Sequence, residues 1–395
     1  MIKNSVCNYR ILTRHDDCFS EKLLREIESS WVSKETSTKI SLLDLSLEKL
    51  SELFVDLGEP SFRAEQLFRW IWQKGVTDYD SMSNVSAQLR ERLKNEYPIA
   101  FPKIHDQQVS SDGTIKFLSE MDDGKKVETV WIPREDQNRV TVCISTQVGC
   151  RMGCKFCLTA QQKTERNLSP GEIASQLMIL PNREKITNVV VMGMGEPFDN
   201  FDYLMQSLDI ITHEKGINLG AGRVTVSTSG LVPRIYEFAK QSRCRLAISL
   251  NAPNDVIRTA IMPINKAYNL EKLLGCVREI SQENYPRARK RRFYVTFEYI
   301  LMEHVNDRPE DAREIVKILR GIPCKVNLLL YNENPNAPYK RPSEKRVAVF
   351  QKILRDHGLL NFLRSSRGRD ISAACGQLAS KELGQSELSQ TELSR

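Results

Sequence analysis

The sequence contains no unbroken run of about 18 apolar residues, the minimum for a membrane-spanning helix. Its opening residues, Met1 to Arg10, lack the apolar core of a secretory signal. The expectation is therefore a cytoplasmic protein with no membrane contact. That absence changes the meaning of ten cysteines. In a short secreted chain they would read as a disulfide framework, whereas in a long intracellular one they serve metals and catalysis. Also missing is any clear periodicity over residues 1–40, which read as an N-terminal extension of uncertain order.

What remains is an ordinary soluble balance. Of 395 residues, 41% are hydrophobic and 27% charged, enough for one large domain and a small one. The net charge of +7 suits a polyanionic partner without requiring one.

Three cysteines stand together in Cys150-Arg-Met-Gly-Cys154-Lys-Phe-Cys157. This spacing lets one short loop curl three thiolates around a single metal centre. Cubane iron–sulfur clusters are normally held by four thiolates, so three local ones would leave one iron open to a second molecule. The alternative is a structural zinc loop. Such sites favour paired knuckles with four protein ligands, and the chain has no second knuckle.

Along the chain, apolar residues at helical spacing predict a helix from Leu42 to Leu57 stopped by Gly58. A second is predicted over Phe62 to Lys74, capped by Ser61, and a third from Val85 to Asn95. These make a small helical accessory domain, residues 41–100. Its Arg63, Arg69, Lys74, Arg90 and Arg92 either face a phosphate backbone or form solvated helix faces. Residues 101–136 turn to short strands, with hairpin signals at Asp112-Gly113 and Asp123-Gly124. Glu128 is the one carboxylate in the alternating strand Val127 to Ile132, a pattern that reads as solvent-facing.

From residue 137 to 378, six strands alternate with helices. The strands begin at Arg139, Ile186, Arg223, Arg245, Phe293 and Lys325. Ser169-Pro170 opens the first of the helices. The pattern predicts an α/β fold with a parallel sheet, an incomplete (β/α)6 barrel whose site gathers at the carboxyl ends of the strands. A last helix is expected from Glu344 to His357, and residues 379–395, rich in Ser, Glu and Gln, read as a disordered tail.

At the strand ends, Gly193-Met194-Gly195-Glu196-Pro197 offers glycines for close ligand approach and a carboxylate for an ammonium group. Cys143 lies seven residues before Cys150, and Cys375 sits far off among small residues beside Gly376. An unobstructed thiol can act as a nucleophile once deprotonated. Cys7, Cys18, Cys244, Cys276 and Cys324 read as packing or surface residues.

Six segments in order resemble the RlmN/Cfr family of radical S-adenosylmethionine (SAM) RNA methyltransferases. They are Val127-Glu128-Thr129-Val130, Gln147-Val148-Gly149-Cys150, Cys157-Leu-Thr-Ala160, Met192-Gly-Met-Gly-Glu-Pro197, Ala252-Pro-Asn-Asp255 and Ala373-Ala-Cys-Gly-Gln377. The resemblance spans about Leu42 to Leu378. It implies a 4Fe–4S cluster on Cys150, Cys154 and Cys157. It also implies SAM, two per turnover, held by Gly195, Glu196, Ser227, Ser249, Leu250, Asn251 and Asn332. Many relatives carry His where this chain has Asn251.

The implied reaction adds a methyl group to C2 of adenine 2503 in 23S ribosomal RNA and of adenine 37 in transfer RNAs. One SAM methylates Cys375, and a second yields a radical that removes hydrogen from that methyl group. The carbon adds to adenine, Glu128 accepts a proton, and Cys143 attacks the Cys375 sulfur to release the product. The implied partners are both RNAs and a reductase or flavodoxin-type electron donor, with the enzyme acting as a monomer. Arg287-Ala-Arg289-Lys290-Arg291-Arg292 then reads as a phosphate-binding rim, or otherwise as a solvated loop. The alternatives are the sister branch, which methylates C8, another radical SAM enzyme such as a glycyl-radical activase, and a non-catalytic RNA-binding protein.

Overall fold

The structure, a computed structural model, describes residues 41–282, 295–334 and 336–379. The extension 1–40 with Cys7 and Cys18, the basic run Arg287 to Arg292, Phe293 and residues 380–395 lie outside the described residues.

Three helices come first: Leu47–Asp56, Phe62–Trp72 and Ala87–Glu96. The helix expected from Leu42 is broken. Leu42–Asp44 forms a single 3-10 turn, and Ser46 then turns extended and caps the next helix, its side chain accepting from the Lys49 amide. The hydroxyl at Ser46 competes for backbone donors and so starts a helix rather than continuing one. Ser61 does not cap the second helix, since its own backbone is helical and its side chain makes no capping bond. Leu50, Phe54, Phe68 and Trp72 are buried in the core of this region.

Next comes an antiparallel meander of β1 (Lys103–Val109), β2 (Ile115–Glu120) and β3 (Lys126–Arg134). Pairing of β3 with β4 (Arg139–Ile144) carries it into the main sheet, which has ten strands. A two-residue pair, β5 (Gln147–Val148) with β6 (Arg166–Asn167), brackets the cysteine loop. Beyond β4 the main sheet is parallel. Its order is β4, β7 (Asn188–Val191), β8 (Val224–Thr228), β9 (Arg245–Ser249), β10 (Val295–Leu301), β11 (Cys324–Leu330) and β12 (Asn361–Arg364).

Helices Phe201–Thr212, Val232–Gln241, Leu270–Ile280 and Pro309–Ile318 fill the crossovers. Helix Pro170–Met178 has the capping box that its Ser-Pro-Gly-Glu start predicts. The outer edge of β4 is taken by β3, not by β12, so the parallel strands do not close into a full barrel. This is the incomplete barrel expected from six strand–helix units, with β12 as an added parallel strand. Alternation along β10 shows how the wall works. Phe297 and Tyr299 are buried on the helix side, Tyr299 against Phe350 of helix Glu344–Asp356, while Glu298 and Ile300 face the barrel cavity.

Candidate active site

The cysteine loop is held from two sides. The Lys155 amide donates to the Ile261 carbonyl (2.9 Å), and Arg151 Nε donates to Asp199 Oδ2 (2.9 Å). Cys150, Cys154 and Cys157 line one cavity at the carboxyl ends of the barrel strands, together with Gly195, Glu196, Ser227, Ser249, Asn251 and Cys375. Among the described residues, no three His, Cys, Asp or Glu side chains form a site for a single metal ion. Burial pushes the Cys150 and Cys154 thiols well above their usual range. Bare thiolates are costly here, a cost that a bound cation would offset.

Glu196 is aimed by its backbone. Gly195 has φ 102°, and a Cβ there would lie 2.8 Å from the Gln147 amide nitrogen, so a side chain is excluded. Gln147 Oε1 accepts from the Glu196 amide (2.8 Å) while its Nε2 donates to Asp199 (2.8 Å), tying this turn to the cysteine loop. The Glu196 carboxylate accepts from the amides of Phe198 (3.0 Å) and Ser229 (2.7 Å). Burial raises its pKa and these bonds oppose the rise. Oδ1 of Asn332 is buried without a partner. A fixed, buried carboxylate on the cavity wall suits a ligand with an ammonium group, such as the amino-acid end of SAM.

The other expected contacts are placed less simply. Leu250 is fully buried, and its carbonyl accepts from Arg258 Nε (3.2 Å). Asn251 has φ 53° and lines the cavity, but its Oδ1 accepts from the Ile300 amide (2.9 Å), a tie between β9 and β10. Asn332 stands behind the Cys375 loop, its Nδ2 donating to the Cys375 carbonyl (3.4 Å).

Cys375 is exposed as a residue, yet its thiol faces the cavity, where burial first, then Glu298 and Cys157, push its pKa up to about 11. Its loop is clasped by the Leu158 amide donating to the Gly376 carbonyl (2.8 Å) and by Ser110 Oγ donating to Asp370 (2.6 Å). Cys143 on β4 is buried and free of any disulfide. Its thiol is held high by burial and then by the neighbouring Cys375. Two cysteines remote in sequence thus come within electrostatic reach.

Glu128 is not the solvent-facing residue its strand pattern suggests. It is 1% exposed, paired with Lys116 (3.0 Å), and accepts from the Ala379 amide (2.7 Å). The meander packs against the Cys375 loop on this face, which covers it.

Two residues escaped sequence reasoning. Glu298 lines the cavity, accepts from Asn327 Nδ2 (2.8 Å), and is pushed up to about 7 by burial. A carboxylate in the inward register of an apolar strand was a usable signal. Arg258 is fully buried and donates to the carbonyls of Ser229 (2.7 Å) and Ser249 (3.1 Å). Burial brings it down to about 10 while Cys154 and Asp255 pull the other way. Nothing in its local sequence marks it.

An incomplete parallel barrel, with three cysteines and a glycine–glutamate turn at its strand ends, defines a radical SAM enzyme. Residues 144–319 match the radical SAM superfamily model, and residues 40–99 match the ribosomal RNA large subunit methyltransferase N-terminal domain. The chain is 43% identical over 350 residues to the dual-specificity RNA methyltransferase RlmN of Syntrophotalea carbinolica, covering 89% of this chain and 92% of that one. Identity is also 43% over 352 residues to the RlmN of Francisella tularensis subsp. mediasiatica, covering 86% and 93%. A crystal structure of a radical SAM methyltransferase from Sphaerobacter thermophilus superposes with a TM-score of 0.80 at 41% identity, covering 87% of this chain and all of that one. The chain belongs to the RlmN family of radical SAM RNA methyltransferases. Among the described residues no helix is long and apolar enough to cross a membrane.

Proposed function

We propose that the protein methylates C2 of adenine, in adenine 2503 of 23S ribosomal RNA and adenine 37 of transfer RNAs, with Cys375 as the carbon carrier. The observation that supports this reading is that Cys375 lines the three-cysteine cavity while the buried Cys143 thiol lies within its electrostatic reach. C2 of adenine is electrophilic and bears an unactivated hydrogen, so it cannot attack a methyl donor directly. Cys150, Cys154 and Cys157 would hold a 4Fe–4S cluster, and Gly195, Glu196, Ser227, Ser249 and Asn332 the SAM. When bound, these groups supply a methyl group for displacement and a radical able to take hydrogen from an unactivated carbon.

The chain's own residues do the rest. Cys375 takes the methyl group on sulfur and presents its carbon to the adenine. Cys143 then attacks that sulfur, freeing the product and forming a disulfide that outside thiols must reduce. Glu128 accepts the proton lost from C2. Residues 41–100 serve as an RNA-binding accessory domain, residues 101–136 as the connection and 137–378 as the catalytic core. The enzyme acts as a cytoplasmic monomer fed by a reductase or flavodoxin-type electron donor.

Lys116 supports the proposed base. Burial raises the Glu128 pKa, and the Lys116 charge is the largest effect opposing it. Removing that charge in Lys116→Met should raise the pKa further, so the carboxylate is lost at a higher pH. The acid limb of the pH–rate profile is expected to move to higher pH, and an unmoved limb would count against Glu128 as the base. The function itself is tested by digesting RNA from a strain lacking the gene, with and without the gene restored. Mass spectrometry should place the restored methyl group on C2, and a methyl group on C8 would overturn the assignment.

A further inference from the structure

Arg258 sits on the helix Asp255–Ile261, which follows β9, and is fully buried. Its guanidinium donates to the carbonyls of Ser229 (2.7 Å), Ser249 (3.1 Å), Leu250 (3.2 Å) and Tyr268 (3.4 Å) and to Asn265 Oδ1 (2.9 Å). All these acceptors are neutral, and among the described residues no carboxylate lies at ion-pair distance from it. Asp255, one turn earlier, is exposed, and its carboxylate accepts from Asn265 Nδ2 (2.9 Å) and the Leu270 amide (2.8 Å). Hydrogen bonds satisfy the donors of a buried guanidinium without neutralising it. A buried charge with no counter-charge is among the least favourable arrangements in a protein interior.

The cysteine loop lies where a counter-charge is needed. The Lys155 amide donates to the carbonyl of Ile261 (2.9 Å), the last residue of the Arg258 helix. A Cβ on Gly153 would stand 3.5 Å from Pro263, just past that helix. The loop is thus seated on the helix on both sides of Cys154. Of the charged groups that act on Arg258, Cys154 comes first and Asp255 second. Arg258 in turn favours the Cys154 thiolate, against Cys157 and Glu196. A cluster held by three thiolates is negative, and one added electron makes it more so. A fixed charge in a dry interior acts on it with little screening by water or salt, and cluster potentials follow net charge and surroundings.

We propose that Arg258 is the fixed counter-charge of the cluster on Cys150, Cys154 and Cys157, and that it sets how readily the cluster takes its electron. It is a positioning residue, acting through Cys154 and not on the reacting atoms. This rests on the cluster reading of the three cysteines and adds what tunes the cluster.

The test needs no turnover. The full chain, loaded anaerobically with iron and sulfide, is poised against redox mediators, and the reduced cluster is measured by electron paramagnetic resonance. Arg258→Gln keeps a hydrogen-bonding side chain and loses the charge. Its reduction equilibrium should move about tenfold toward the oxidised form, a potential about 59 mV lower for one electron. Arg258→Lys keeps the charge, loses most of the hydrogen bonds, and should stay within about threefold of the wild type. If Arg258→Gln does not fold, Arg258→Met takes its place, since an apolar side chain removes the unpaired charge together with its desolvation cost. Wild-type potential in the Gln or Met variant, or a Lys variant that falls as far as they do, would make Arg258 a staple between strand ends and overturn the proposal. If the wild type itself holds no reducible cluster, the cluster reading falls and this proposal with it.

Discussion

Cys375→Ala is expected to abolish formation of methylated RNA, by roughly 10⁴-fold or more, the scale seen when a covalent nucleophile is removed. The loop that carries Cys375 should survive the change. Its clasps run through the backbone carbonyls of Cys375 and Gly376 and through Asp370, none of which involves the thiol. Cys375 is exposed, so the stability change should stay within about 0.5 kcal/mol. A fold-based explanation for lost activity is thereby removed in advance. A second readout does not depend on RNA. Wild-type protein incubated with methyl-labelled SAM should retain label on the Cys375 peptide, and the alanine variant should not. Undiminished turnover in the variant, or label retained elsewhere in the chain, would remove the carrier role altogether.

Most of the barrel was legible because its signal is local. Val189, Val190 and Val191, three β-branched residues set between turn and helix signals, already read as a buried strand. The cysteine loop and the Gly195-Glu196 turn were legible for the same reason, since each is a short motif whose spacing is its geometry. What escaped depends on tertiary contact. β12 is four residues long and largely exposed, so it has no periodicity to betray it and exists because β11 offers an edge. The pattern of Glu128 suggested solvent because alternation reveals which residues share a face, not what covers that face. Here the cover is supplied by Ala379, 251 residues away. Arg258 was invisible because its partners are carbonyls just past the ends of two strands, Ser229 after β8 and Ser249 and Leu250 at the end of β9. Only the folded sheet brings those together.

Cys143→Ala is expected to trap the protein covalently on RNA, with turnover falling to almost nothing and a conjugate that survives denaturing gels. The reason lies in the state of the two thiols. Burial first, and then the neighbouring Cys375, hold the Cys143 thiol protonated, so it is a poor nucleophile unless deprotonated. Removing Cys143 leaves loading and carbon transfer untouched but removes the group that breaks the carbon–sulfur bond. The double variant Cys143→Ala, Cys375→Ala should form no conjugate, which assigns the attachment point. Ready release of methylated RNA by Cys143→Ala alone would mean that another group opens the bond, and the paired-cysteine scheme would fail at its last step.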